Sequence, residues 1–217
     1  MSEYLIGVIE KGVWETLQMT FFSSLFSYLI GLPLGVILYA TSKGRLLENR
    51  PVGFVLGTVV NIMRSLPFLI LLVLIIPFTR LVVGTSIGTT ASIVPLTVGA
   101  IPIVARMVEA SLCEVGPGII EAAQSMGASP LYIIIHFIIP EATPSMLHGA
   151  AINIATILGY SAMAGVIGGG GLGAIALQYG YYRYQANVLW TTVILLVIMV
   201  MVIQELGMLL AKKKRKN

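Results

Sequence analysis

Apolar residues gather in five long runs, at 17–41, 52–78, 90–113, 146–167 and 188–211, parted by more polar or glycine-rich stretches. Each run reaches the roughly 20 residues that an α-helix needs to cross a hydrocarbon core of about 30 Å. Backbone amides in lipid must bond within their own segment, so the runs predict helices. Pro33, Pro67, Pro95 and Pro102 fall inside or near the ends of these spans, as do Gly31, Gly35, Gly57 and Gly99. They predict either kinked, closely packed helices or hinges that move during function.

Composition supports lipid as the solvent. The chain is 57% hydrophobic and 10% charged, whereas soluble domains average about 45–50% and 25%. At 217 residues it reads as one transmembrane domain, 1–217, with its core at about 13–205. Few helices enclose little interior, so a partner copy is expected. The formal charge of +4 does not signal nucleic acid, because five of thirteen basic residues crowd into the tail 212–216, within a basic C-terminal segment 212–217. Such a tail anchors to anionic lipid headgroups.

Charge placement also sets orientation. Lys43, Arg45, Arg50 and the tail lie on one side of the five spans, and Lys11, Arg80 and Arg183 on the other. The positive-inside rule puts the C-terminus in the cytoplasm and the N-terminus, with Glu3, Glu10 and Glu15, outside. That acidic start lacks the pattern of a cleavable signal, so the first span is expected to be retained. The single cysteine, Cys113, is expected to serve packing. His136 and His148 are too scattered for a metal site, and none is expected.

The stretch 114–145 falls on the cytoplasmic side yet holds no Lys or Arg, only Glu114, Glu121 and Glu141. A basic-poor loop retained inside suggests a protein partner rather than headgroups. Ile119, Ile120, Ala123 and Met126 recur at helical spacing and predict one apolar face. Gly127 predicts a left-handed stop, and Ser129-Pro130 a capped start, giving helix, turn, helix. The residues Glu121, Ala122, Ala123, Gly127 and Pro140 resemble the signature loop of ABC importer permeases, with Phe137 and Ile139 departing from that family's pattern but staying apolar. The resemblance implies that the first short helix docks on an ATP-binding subunit and transmits its closure, with Glu121 as an ion-pair partner.

Similarity over nearly the whole chain is to permease subunits of bacterial methionine importers. Gly12-Val13-Trp14-Glu15-Thr16-Leu17, Pro77-Phe78-Thr79-Arg80, Val94-Pro95-Leu96-Thr97-Val98-Gly99-Ala100, Ala105-Arg106-Met107-Val108-Glu109 and Gly159-Tyr160-Ser161-Ala162-Met163-Ala164-Gly165 carry it. It implies an all-α integral membrane protein of five transmembrane helices with the type I ABC importer permease fold, in the plasma or inner membrane. It also implies a homodimer, two copies of an ABC ATPase, and an extracytoplasmic methionine-binding protein or lipoprotein. The chain is then a transport subunit, not an enzyme. It has no Gly-x-x-x-x-Gly-Lys phosphate loop and no Asp at all, so ATP and Mg²⁺ belong to the partner ATPase and no cofactor to this chain.

The run Gly168-Gly169-Gly170-Gly171-Leu172-Gly173 is expected to be flexible backbone at the external mouth. Tyr179, Tyr181, Tyr182 and Tyr184 follow it, suited equally to membrane anchoring and to docking a binding protein. Within the spans, Arg106 and Glu109 stand three apart and are expected to neutralise each other. Arg64, near Asn61 toward the cytoplasmic half of its span, either snorkels or lines an aqueous path. Asn153, Thr156, Tyr160 and Met163 form a polar and polarizable stripe, which is either a conduit wall or a seam of interhelical hydrogen bonds. Two rivals remain: an ABC permease for another amino acid or small peptide, and an ATP-independent carrier or channel. The second lacks the paired repeats and intramembrane acid pairs such machines use.

Overall fold

The computed structural model describes residues 3–215, so the end of the basic tail, Lys216 and Asn217, lies outside the described residues. Those described are mostly helical, with no strand among them. The first helix, α1 (Glu3–Thr41), starts well before the expected span and runs 39 residues, roughly 58 Å at 1.5 Å per residue.

Its polarity is inverted relative to a helix in water. Thr16, Thr20, Ser23, Ser27, Gly31 and Gly35 are buried, while Phe21, Leu25, Leu29 and Ile30 are exposed. In lipid the large apolar side chains face out, and small residues let helices approach. The buried face lies along α5 (Thr89–Cys113). A methyl group on Gly35 would sit 2.5 Å from the Ala105 carbonyl oxygen and 2.7 Å from Val108 Cβ. The buried threonine hydroxyls turn back on their own helix: Thr16 donates to the Gly12 carbonyl and Thr20 to that of Thr16, both at 2.8 Å. Ser24 Oγ, on the same helix, is buried without a partner among the described residues.

The second apolar run is not one straight helix. Asn49 caps α2 (Arg50–Ser65), its Oδ1 accepting from the Val52 amide at 3.2 Å. The helix stops at Leu66, whose φ of −77° and ψ of 125° are extended. Pro67 imposes this, because its ring crowds the preceding residue out of helical conformation. The chain then bends by 103° into α3 (Phe68–Leu74), and Pro77 opens α4 (Ile76–Val83). Among the described residues four helices are long and apolar enough to cross a membrane, or five if the bent pair counts as one. Pro95 and Pro102, by contrast, leave α5 continuous. Thr97 and Ser23 both donate to the Ile93 carbonyl beside the first of these prolines.

Past α6 (Pro117–Ser125) and α7 (Pro130–Ile133), a π-helical turn at Ile134–Ile138 leads straight into α8 (Ile139–Ala164). The expected fourth span is therefore only the far part of one helical rod, Pro130–Ile167, of 38 residues. After it come the short α9 (Gly171–Ile175) and the last helix, α10 (Ala186–Arg215). The glycine run before and within α9 is fixed rather than flexible. The Gly171 amide donates to Glu15 Oε2 at 2.7 Å and the Leu172 amide to Thr16 Oγ1 at 2.9 Å, so α1 caps α9 across the fold. Gly168, Gly170 and Gly171 have positive φ, and a Cβ on Gly170 would meet Glu15 Oε2 at 2.7 Å. The glycines serve tight turning and close approach.

Substituting Gly35 by Ala should destabilise the purified protein by about 1–3 kcal/mol through overpacking. Thermal unfolding in detergent checks this, with Gly7→Ala, which meets no atom within 4 Å, expected to stay near the parent.

Candidate functional site

The loop residues singled out by sequence fold into a compact knuckle at one end of the bundle. Helix α6 buries Ala123 completely, in a cluster with Val115, Ile133, Ile134 and Ile138 that also takes in Val104, Val108 and Leu112 of α5. Ile119 and Ile120 pack against it, but Met126, expected on the same face, is 71% exposed. It occupies the helix C-cap, where the backbone leaves the helical path. Gly127 follows at φ 78°. Its amide donates to the Gln124 carbonyl at 2.9 Å and that of Ala128 to Ala123 at 3.2 Å, a Schellman closure. No atom lies near a Cβ at Gly127, so the backbone angle alone selects glycine. Ser129 stands at the next N-cap position without a side-chain cap bond, contrary to expectation. Pro130 opens that helix instead.

Glu121 and Ala122 are exposed on the outer face of α6, and Glu121 has no ion pair among the described residues. Beside them a cleft of about 360 Å³ runs between α6 and the turn after α1, lined by Tyr39, Arg45, Pro117, Ile120, Glu121 and Gln124. Arg45 braces that turn: its guanidinium lies 4.6 Å from the Tyr39 ring centroid and donates to Cys113 Sγ at 3.3 Å. Cys113 is exposed rather than packed away. In the same turn the Arg50 hydrogen bond, with help from the Gly44 amide, holds the Glu48 carboxyl below its ordinary range.

A second cleft, of about 510 Å³, opens between α2, α5 and α8. Arg64, Ile103, Arg106, Met107, Glu109 and Asn153 line it. The expected pair is present, with Arg106 Nη1 donating to Glu109 Oε2 at 2.6 Å. The other Arg106 terminal nitrogen, Nη2, donates to the Gly57 carbonyl and to Asn61 Oδ1, both at 2.9 Å. Asn61 is thus a positioning residue for Arg106. Asn153 is buried and donates from Nδ2 to the Tyr28 hydroxyl at 3.4 Å. Arg64 sits in the last turn of α2, directly before the break, with no hydrogen bond or ion pair among the described residues.

The stripe along α8 does not stay together as one wall. Thr156 donates back to the Ile152 carbonyl at 2.9 Å. Tyr160 stacks on Phe68 with ring centroids 4.5 Å apart, tying α8 to α3 beyond the break. Met163 is exposed near the far end of α8. Only Asn153 of the four reaches the cleft. Sequence reasoning missed Met107 in that lining, as well as the Arg45 brace and the Glu15 cap. For Met107, its place beside Arg106 was a usable signal; the other two are contacts between distant segments.

Residues 31–214 match the model of the binding-protein-dependent transport system inner membrane component family. The chain belongs to this family. As such it is a multi-pass membrane transport component rather than an enzyme. It is 52% identical over 200 residues to the probable D-methionine transport system permease protein MetI of Vibrio cholerae, covering 92% of this chain and 89% of that one. It is likewise 52% identical to the D-methionine transport system permease protein MetI of Escherichia coli K12 over 165 residues, 76% of each chain. A chain from inward-facing structures of the MetNI methionine ABC transporter superposes with a TM-score of 0.96 at 50% identity, covering 99% of both chains. An amino acid ABC transporter solved with histidines matches at a TM-score of 0.79 and 24% identity, and so shares the fold.

Removing Glu109 by substitution with Leu strands the Arg106 guanidinium in a partly buried site and should cost about 3 kcal/mol. Asn61→Ala, which leaves Arg106 its other partners, should cost about 1 kcal/mol. The order of the two melting temperatures in detergent checks the assignment.

Proposed function

We propose that this chain is the permease subunit of an ATP-driven methionine importer. What carries the reading is the near-complete superposition on a chain of a methionine ABC transporter at 50% identity. Two copies form the path about a two-fold axis, with the N-terminus outside, the C-terminus in the cytoplasm and five spans per copy, α2 and α3 making one broken span. An extracytoplasmic methionine-binding protein or lipoprotein delivers cargo at the outer end, near the exposed Tyr181, Tyr182 and Tyr184.

Each copy engages one ABC ATPase, which holds the ATP and Mg²⁺ that this chain has no phosphate loop or Asp to bind. Helix α6 is suited to dock there: Glu121 is free to pair with a basic residue, Ala122 lets the partner come close, and Ala123 is gripped by the bundle. Closure of the ATPases pushes the two α6 knuckles together. The push enters α8 through α7 and the π-helical turn and reorients the path outward to accept methionine; hydrolysis resets it. Asn61, Arg64, Asn153, Thr156, Tyr160 and Met163 follow that path, with Arg64 and Asn153 at the cleft itself.

Proteoliposomes holding permease, ATPase and binding protein should accumulate labelled methionine only with ATP inside the ATPase compartment. Preferential uptake of a different amino acid or a peptide would replace the cargo, and uptake without the ATPase would defeat the coupling. Gly127→Pro cannot reach φ 78° and loses the amide bond to Gln124. It should hydrolyse ATP with little uptake, at least tenfold uncoupled by rough expectation from a displaced docking element. Glu121→Lys should reduce co-purification of the ATPase.

A further inference from the structure

The two arginines of the α2/α5/α8 cleft are unequal. Arg106 is held through both terminal nitrogens by Glu109, Gly57 and Asn61, with its Nε buried and unpartnered among the described residues. Arg64 lines the same cleft with all its donors unengaged among the described residues, and its side chain is exposed. An unpaired guanidinium inside a membrane span is costly unless it meets water or a ligand. With Glu109 offsetting Arg106, the cleft carries about one net positive charge, and that charge belongs to Arg64.

The rest of the lining is arranged around this charge. Asn153 uses Nδ2 on Tyr28 and keeps Oδ1 without a donor among the described residues. Glu109 has committed Oε2 to Arg106 and likewise keeps Oε1. Ile103, Met107 and Ala110 supply apolar wall. A cationic fork, free acceptors and an apolar surface in one cleft match a zwitterion with an apolar side chain.

We infer that Arg64 is a transient station for the α-carboxylate of the transported amino acid, with Glu109 and Asn153 receiving its ammonium group and Ile103 and Met107 its side chain. This rests on the methionine-importer reading above and adds the part of the cargo that the permease recognises. A guanidinium fork binds a carboxylate through two parallel hydrogen bonds. Its exposure to the cleft keeps the binding weak enough for release, as a conduit requires.

The test uses the assembled permease–ATPase complex, reconstituted with the binding protein for uptake and without it for binding. Arg64→Gln should lower methionine uptake by about tenfold, as loss of a charge-assisted bond implies, while Arg64→Lys retains much of it. In calorimetric titration the parent complex should bind methionine in preference to its carboxamide, Arg64→Lys should keep that preference, and Arg64→Gln should lose it. Equal uptake by Arg64→Gln overturns the inference, as does a parent complex that binds both probes alike or neither. Loss of dimer or ATPase from Arg64→Gln, or equal failure of the Gln and Lys variants, makes Arg64 structural and overturns it too. A parent complex that imports no methionine sinks the importer reading itself, whereas uptake indifferent to Arg64→Gln sinks only the station.

Discussion

The close seating of α1 against α5 is the contact on which the architecture depends. In lipid there is no hydrophobic drive between helices, so their association rests on packing and on the internal satisfaction of polar groups. Gly31 and Gly35 bring the α1 backbone against Val104, Ala105 and Val108. Those same α5 residues belong to the clusters that hold α6, α7 and α2. Both candidate functional elements, the knuckle and the cleft, are therefore hung from one helix pair.

The two ends of α1 do different work. Near its C-terminus, Tyr39 and Ala40 join the cluster under α6. Toward its N-terminus, Ile9 packs with Leu172, Ile175 and Val188, while Glu15 and Thr16 hold the first amides of α9. A single helix thus touches the loop that resembles an ATPase docking site and the glycine turn at the opposite end.

Much of this was legible because its physics is local. Long apolar runs gave the long helices, four or, with the bent pair, five among the described residues, the i,i+3 spacing gave the Arg106–Glu109 pair, and Gly127 gave a helix stop realised at φ 78°. The break at Pro67 was less legible, since Pro33, Pro95, Pro102 and Pro144 all sit inside continuous helices. A proline by itself thus does not tell a break from a continuous helix. The glycine run was misjudged as flexible for a related reason: its restraint comes from Glu15, more than 150 residues away. The stripe from Asn153 to Met163 looked like one surface, but ten residues of helix cover roughly 15 Å of height. Tyr160 is claimed by Phe68 and Met163 lies beyond it.

The helical continuity from Pro130 to Ile167 has a mechanical corollary. A coil between knuckle and span would act as a spring and dissipate displacement as slack. Here any displacement of the knuckle would pass into a helix roughly 57 Å long, with the π-helical turn at Ile134–Ile138 as its one irregular segment before Gly165. Tilting that helix by even a few degrees about its partly buried middle would swing Asn153 and Met163 through different arcs, opening some levels of the bundle and closing others.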